Sequence, residues 1–344
     1  MTENRCNMRL MLQDIPPRWA RFCLDVKSFT EDMTGESIRG KRFLAAYSGG
    51  ADSAALLRIF DLIRPGTGIS ITAAHLNHML RPGADDEQEY VTKVCADLGI
   101  SVRCGRSRVS RLARAGKTGI EEAARTMRYN FLQGLAVRQK ADYILTGHHL
   151  NDLAEDMLMR LSRGTGWPGL SGMAGFDPRR KLVRPLILTP KKIIVEFLEA
   201  ISQDYLIDES NQDTSFLRNR IRHEIVPAFE EINPGFLSSV ANIWKLGRID
   251  QAHWESVLSS IPEMEADDGI FIPYGILGSL NQATRLRLFK KVLDGLGPGQ
   301  TLSDSLLELD RIWKAGKGGK TVQFPGDKFA RIKKRGVLLG LMAR

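Results

Sequence analysis

Strand-like and helix-like segments alternate along the first two thirds of the chain, and this alternation constrains the fold most. The predicted strands are KRFLAAY, ISITAAHLNH, ISVRCG, ADYILTG and KLVRPLI. Helices are predicted in ADSAALLRIFDLI, DDEQEYVTKVCADLG, IEEAARTMRYNFLQGLAVRQ, NDLAEDMLMRLSR and TPKKIIVEFLEAI. Strands alternating with helices of about 10–20 residues are typical of βαβ units. The sequence therefore predicts an α/β domain over residues 41–230, with a Rossmann-like parallel sheet and helices on both faces.

Three polar segments follow predicted strands, at residues 48–53, 75–81 and 148–152. Open parallel sheets bind their ligands at the carboxyl ends of the strands. We therefore expect these segments to meet at one edge of the sheet and to form the functional site.

The first polar segment, SGGADS, combines two glycines with an acid and two serines. Gly49 and Gly50 allow a tight backbone turn, and the following helix start offers unpaired N–H groups to an anion. This pattern predicts a phosphate-binding loop made of Ser48, Gly49, Gly50, Ala51, Asp52 and Ser53. The alternative is a plain strand-to-helix turn in which Asp52 or Ser53 caps the helix.

Two better-known phosphate motifs do not fit this chain. GxGxxG would need glycines at positions 50, 52 and 55, and only Gly50 is one. A Walker loop needs a lysine after its last glycine; Gly116-Lys117-Thr118 lacks the required upstream glycine, because Arg111 stands there.

Polar side chains also recur at helical spacing in two later segments. His148, Asp152 and Glu155 lie at i, i+4 and i+7, beside an apolar face of leucines and methionines. In the helix of residues 119–129, Arg125 and Tyr129 share a face, with Glu122 one turn earlier. Solvated helix acids and surface salt bridges are the simpler interpretations of these two stripes.

The basic charge of the chain is concentrated at its C-terminal end. The net charge is +9, and residues 311–344 hold ten basic side chains and one acid, Asp327. Such a surface is typical of a nucleic-acid binder, although a solvated tail would have the same composition. We predict a smaller, mostly helical basic domain over residues 231–344 and an N-terminal extension over residues 1–40.

Cysteine usage and hydropathy limit the class of protein. None of the four cysteines forms a CxxC pair, which argues against a zinc site or a disulfide scaffold. The chain has no apolar run of membrane length and no signal-peptide pattern at its start, so a cytoplasmic location is expected.

SGGxDS between a strand and a helix resembles the signature of the PP-loop ATP pyrophosphatases. The full order of motifs resembles one family in that group, the tRNA(Ile)-lysidine synthetases, from about Phe43 to Pro227. The motifs are SGGADS, HLNHMLR, EEAARTMRY, TGHHLNDLAEDMLMRLSRGTGWPGL, RPL, DESN and RNRIR.

The resemblance implies that ATP adenylates the wobble cytidine of the CAU-anticodon isoleucine tRNA, and that free L-lysine then displaces AMP. It implies ATP at the SGGADS loop, Mg²⁺ at Asp52, and a phosphate contact from Arg125 or, as second choice, Arg128. Asp152 and Glu155 would receive the cationic lysine, and His148 would act as a base or hold phosphate. The RNRIR arginines Arg218, Arg220 and Arg222 would touch ATP or tRNA, in a loop shaped by Asp208 and Asn211.

Two positions depart from the commonest family pattern. Asn151 stands where an aspartate is frequent, and Asp156 where a threonine is frequent. The alternatives are a PP-loop enzyme that thiolates a tRNA base, a non-catalytic RNA-binding protein, and an amide-forming ligase on a small metabolite. The oligomeric state, monomer or homodimer, is left open.

Overall fold

The computed structural model describes residues 10–77, 84–107, 120–207, 217–316 and 318–342. Its internal contacts divide the chain into two compact units. The first comprises residues 1–156 and 173–241, and the second comprises residues 157–172 and 242–344. Among the described residues, no helix is both long and apolar enough to cross a membrane.

The first unit is built on a six-stranded sheet in the order β3-β2-β1-β4-β6-β5. Five neighbouring strands are parallel, and only β5 runs antiparallel, to β6. The strands are β1 (Arg42–Ala46), β2 (Ser70–Asn77), β3 (Ser101–Arg106), β4 (Tyr143–Leu145), β5 (Phe176–Asp177) and β6 (Leu182–Val183). This arrangement confirms the predicted parallel α/β sheet.

Helices cover both faces of this sheet, also as predicted. Their bounds are α1 (Pro17–Thr34), α2 (Ala51–Thr67), α3 (Ala84–Asp97), α4 (Ile120–Arg138), α5 (Leu150–Ser162), α6 (Lys191–Ala200), α7 (Leu217–Arg220), a π-helix (Ile221–Ile225) and α8 (Val226–Ile232). Successive side chains of β1 point to opposite faces of the sheet, so they pack against different helices. Phe43 and Ala45 pack with residues of α1, α2, α3 and α6, whereas Leu44 packs with α4.

Helix α1 belongs to this core although it falls within the predicted N-terminal extension. Trp19, Cys23 and Val26 are buried and join the cluster around α2. Fully burying a large apolar side chain contributes about 1.5–3 kcal/mol, so α1 stabilises the sheet domain as an integral layer.

The second unit combines helices with a five-stranded antiparallel sheet in the order β7-β8-β11-β10-β9. The elements are α9 (Phe236–Ser259), β7 (Met264–Ala266), β8 (Gly269–Pro273), α10 (Tyr274–Ser279), α11 (Gln282–Gly295), α12 (Ser303–Lys314), β9 (Thr321–Phe324), β10 (Lys328–Lys333) and β11 (Gly336–Leu341). The sequence predicts α9 and α11 from helix-like segments, and β9 and β11 from the short strand-like runs TVQFP and GVLLGL, whereas α10, α12, β7 and β8 were not predicted. Strand β10 was not predicted, because its basic residues interrupt the hydrophobic pattern typical of a strand.

Not every basic residue of the C-terminal segment belongs to its surface. Lys328 is fully buried, and its Nζ donates to the carbonyl oxygens of Gly297 at 3.1 Å and Gly299 at 2.7 Å. Lys314 pairs with the buried Asp310 at 3.0 Å. Lys328 is therefore unavailable to an external anion, whereas Lys314, whose side chain is 47% exposed, stays on the surface beside Asp310.

We expect Asp310→Asn to lower the free energy of unfolding at pH 7 by about 3–5 kcal/mol, because it leaves buried Arg285 without its carboxylate. Burial alone would raise the pKa of Asp310, but hydrogen bonds from Arg285 and Lys314 lower it. The stabilisation is therefore present above the unfolded value of about 3.9 and lost as pH falls through the lower folded pKa. Urea unfolding of the wild-type and Asp310→Asn chains at pH 7 and below pH 4 measures how this stabilisation depends on pH.

The exposed Glu308→Gln is the matched control, since its pair with Arg311 lies on the surface at 3.7 Å. An exposed pair contributes at most about 1 kcal/mol. Equal losses of unfolding free energy in Asp310→Asn and Glu308→Gln would contradict the stabilising role of Asp310.

Candidate active site

The loop between β1 and α2 has the backbone geometry of an anion cradle. Gly49 adopts φ +89°, a left-handed conformation that favours glycine, and its carbonyl accepts from the Leu206 N–H at 2.9 Å. Ser53 Oγ donates to the Gly50 carbonyl at 2.9 Å and accepts from the Ser48 N–H at 3.2 Å. Gly50 is the N-cap of α2, and no side chain caps this helix. The first N–H groups of α2 are thus left for a ligand, which disfavours the simple capped turn.

Asp52 lies in the first turn of α2 and contacts two basic side chains. Its Oδ1 is 2.5 Å from Lys191 Nζ and 3.6 Å from His149 Nε2. Burial alone would raise the pKa of Asp52, but the hydrogen bond and charge of His149 and the charge of Lys191 lower it. Asp52 is therefore an ionised carboxylate at neutral pH.

Asp152 and Glu155 lie next to each other on α5, and two arginines from the later RNRIR segment bridge them. Arg218 reaches Asp152 at 3.1 Å and Glu155 at 2.8 Å. Arg222 reaches Asp152 at 3.2 Å and Glu155 at 2.6 Å. Both carboxylates are buried, and these four residues, the carboxylate–arginine quartet, hold two negative and two positive charges.

His149 connects the phosphate loop to this quartet, and the sequence analysis did not identify it. Its Nε2 lies 3.6 Å from Asp52 and 3.4 Å from Asp152. Its Nδ1 accepts from the Asp152 N–H at 3.4 Å, which places the hydrogen of a neutral ring on Nε2. Burial alone would lower the pKa of His149, but Asp152 and Asp52 raise it. The sequence feature that could have pointed to His149 is its position as the second histidine of the GHH triplet.

His148 lies in the loop between β4 and α5, before the helix begins, so it does not share the helical stripe predicted for it with Asp152 and Glu155. Its Nδ1 is 2.9 Å from Thr146 Oγ1. Burial lowers the pKa of His148 well below its usual value; the charge of Asp152 opposes this shift, and the charges of Arg184, Arg128 and Arg218 add to it. The ring is therefore neutral at pH 7 and, in this environment, a weak base.

The predicted arginines occupy different places. Arg128 lies within the electrostatic environment of Asp152, Arg218 and His148. Arg125 lies 5.2 Å from the ring centroid of Tyr129, and Arg128 lies 5.6 Å from the same centroid. Arg220 faces outward and pairs with Glu224 at 3.0 Å. The structure brings Arg128, Arg218 and Arg222 together with the two acids, and it separates Arg220 from them.

Asn151, the departure noted above, has a structural partner. Its Oδ1 accepts from the Lys191 N–H at 3.0 Å, at the first residue of α6. This bond holds the start of α6 where Lys191 can reach Asp52. An amide oxygen makes this contact without adding charge.

Gly147 lies directly against the backbone of Asp52. A Cβ at this position would be 2.9 Å from the Asp52 carbonyl carbon and oxygen and 3.1 Å from the Ser53 nitrogen. Because these are backbone atoms, the first turn of α2 would have to move.

We expect Gly147→Ala to lower the ATP-dependent activity that the resemblance implies by about 10–100-fold through this displacement, with little change in the implied tRNA affinity. Steady-state rates and a tRNA-binding titration measure the two effects. Gly134→Ala on the exposed side of α4 is the control, because its Cβ would meet nothing closer than 4.0 Å. Unchanged activity in Gly147→Ala would show that the contact does not position the loop.

Magnesium prefers oxygen ligands, commonly one or two carboxylates together with substrate phosphates. Within the described residues, no group of three or more His, Cys, Asp and Glu side chains could hold a metal by itself. Asp52 supplies one carboxylate, and it lies beside the uncapped N-terminus of α2, where phosphate oxygens could bind. This donor set fits a cation that arrives with a nucleotide.

Some predicted residues lie outside the described residues. They include His78 to Arg81 of the second polar segment, and Asp208 and Asn211 before RNRIR; nothing is described of the Glu122 side chain. His75, at the end of β2, is buried, and its Nδ1 is 3.1 Å from the Tyr47 carbonyl oxygen.

Residues 23–229 match the PP-loop domain family. The tRNA(Ile)-lysidine synthase of Nitratidesulfovibrio vulgaris is 40% identical over 332 residues, covering 91% of this chain and 96% of that protein. The chain belongs to the tRNA(Ile)-lysidine synthase family. The synthase of Thermosipho africanus is 39% identical over 210 residues, and the match covers 60% of this chain and 48% of that longer protein.

Among solved structures, the chain is similar to the U34-tRNA thiolase NcsA of Methanococcus maripaludis. The TM-score is 0.52 at 16% identity, covering 65% of this chain and 79% of that one. This likeness shows a shared fold alone. Burial raises the pKa of both Cys23 and Cys95 to about 12, so these thiols stay protonated, unlike the thiolate that sulfur chemistry needs. Because Cys104 is exposed, these two thiols do not decide between the alternatives; the identity to the lysidine synthase relative favours that family over thiolation.

Proposed function

We propose that this chain joins free L-lysine to C2 of the wobble cytidine in CAU-anticodon tRNA(Ile), with ATP converted to AMP and pyrophosphate. The cytidine O2 forms a bond to the α-phosphorus of ATP, and pyrophosphate leaves. The lysine ε-amine then bonds to C2, and AMP leaves with the former O2. One observation carries the proposal beyond family membership: His149 links the phosphate-loop acid Asp52 to the acidic stripe of α5.

The proposed ATP half of the site uses the SGGADS loop and Arg128. Backbone N–H groups at the start of α2 would hold phosphate oxygens, and Asp52 would hold Mg²⁺. Magnesium supplies charge neutralisation for the departing pyrophosphate. Arg128 is preferred over Arg125 for the α-phosphate because it shares the electrostatic environment of His148 and Asp152.

The proposed lysine half uses Asp152 and Glu155, whose charges are compensated here by Arg218 and Arg222. A substrate ammonium that binds these acids has to loosen at least one guanidinium contact. The released guanidinium can then bind an anion, such as a phosphate of ATP or tRNA. The attacking amine also has to lose a proton, and His148 is the proposed acceptor, because the negative charge of a bound nucleotide would raise the pKa that burial lowers.

The proposed tRNA contacts include the basic side chains of residues 311–344, with Lys328 excluded by its internal partners. Such contacts are salt-sensitive because counterions are released. A cytoplasmic location accords with this substrate and stays a prediction.

The test is incorporation of radiolabelled lysine into a CAU-anticodon tRNA(Ile) transcript with ATP and Mg²⁺. We expect label in the tRNA and equimolar AMP. A transcript with adenosine at the wobble position, which lacks the O2 carbonyl, is the control and should stay unlabelled. Absence of label from the cytidine transcript would overturn the proposed function.

A further inference from the structure

An arginine-lined pocket lies on the flank of α4, next to the turn between β5 and β6. Its volume is about 150 Å³, and its walls are polar. The lining residues are Arg125, Thr126, Tyr129, Asn130, Gln133 and Arg180. None of the lining side chains is acidic, so the pocket suits an anion that accepts several hydrogen bonds.

Four arginines gather around the ring of Tyr129. The guanidinium carbons of Arg125, Arg128 and Arg180 lie 5.2, 5.6 and 5.5 Å from the ring centroid. The charge of Arg184 also acts on the Tyr129 hydroxyl. Burial alone would raise the pKa of Tyr129, but the charges of Arg125, Arg184 and Arg128 lower it. The electrostatic potential at this ring is therefore strongly positive.

One described acid contacts this cluster. Asp177 accepts from the Arg180 N–H at 3.2 Å and pairs with the Arg180 guanidinium at 3.4 Å. These contacts hold Arg180 at the hairpin turn. Arg128 is also influenced by Asp152, so among the described residues two carboxylates face four guanidinium groups, which leaves the cluster a net positive charge.

We propose that this pocket binds a backbone phosphate of the substrate nucleic acid, with Arg125 and Arg180 as its ligands. The inference rests on the proposed function, because it concerns the same tRNA. The pocket extends along α4 from Arg125 to Gln133, about 12 Å at 1.5 Å per residue. Its lining includes no residue of the SGGADS loop and none of the carboxylate–arginine quartet, so it is separate from the residues proposed to hold ATP and lysine. This separation favours a tRNA phosphate over a phosphate of ATP.

The test compares Arg180→Ala with Arg179→Ala, a neighbouring exposed arginine that does not line the pocket. Binding of the tRNA(Ile) transcript is titrated without ATP over a range of salt concentrations. We expect about tenfold weaker binding for Arg180→Ala and a salt slope reduced by about 1, with a smaller effect for Arg179→Ala. Gln133→Glu, which places a carboxylate in the pocket, should weaken binding in the same direction.

ATP binding without tRNA is measured in parallel on the same variants. Unchanged ATP affinity with weaker tRNA binding supports a nucleic-acid phosphate. Weaker ATP affinity with unchanged tRNA binding, or equal effects at Arg179 and Arg180, overturns the assignment. Failure of the wild-type chain to incorporate lysine while this tRNA-binding pattern holds would overturn the proposed reaction and leave the pocket assigned.

Discussion

Asp52→Asn is expected to lower the rate of AMP formation by about 10²–10³-fold, because the amide keeps the shape but removes the charge proposed to hold Mg²⁺. Stability should change little. Asp52 and Lys191 are each about one third exposed, at 33% and 39%, and an ion pair of that exposure contributes at most about 1 kcal/mol. Loss of activity would therefore report on chemistry and not on unfolding.

The measurement is AMP release with saturating tRNA and lysine at several Mg²⁺ concentrations, together with a tRNA-binding titration. tRNA affinity should stay near the wild-type value. Asp25→Asn is the matched control, since it makes the same substitution on the exposed side of α1. Equal loss of tRNA binding and AMP release in Asp52→Asn would indicate that Asp52 is structural.

Glu155→Gln is expected to have the largest combined effect on stability and activity. The side chain is 1% exposed and accepts hydrogen bonds from both Arg218 and Arg222. Removing its charge leaves the buried quartet with two cations and one anion, which costs about 3–5 kcal/mol. The apparent KM for lysine should also rise, because one of the two proposed ammonium partners is lost.

Urea unfolding and lysine saturation kinetics separate the two consequences. Glu224→Gln is the control, because it breaks a comparable arginine pair on the surface, with Arg220. We expect that variant to lose less than about 1 kcal/mol and to keep the wild-type KM for lysine. A destabilised Glu155→Gln with an unchanged KM would leave Glu155 as a structural residue and move lysine recognition elsewhere.

Much of the fold was predictable because its signals are local. The five strands of the parallel part of the sheet and the helices between them follow from hydrophobic periods in short windows. The antiparallel sheet of the second unit was only partly predicted. The sequence of strand β10 resembles a basic surface segment. The burial of Lys328 in this strand depends on carbonyl groups about 30 residues earlier in the chain.

The sequence by itself determined the parallel α/β core, the SGGADS loop at a strand end and the shared stripe of Asp152 and Glu155. Each depends on spacing over a few residues. Only the tertiary structure decided which groups those residues meet. Lys191 reaches Asp52 across 139 residues of sequence, and Arg222 reaches Glu155 across 67. No local period encodes such pairs, because they depend on how α5, α6 and the RNRIR segment pack at the sheet edge.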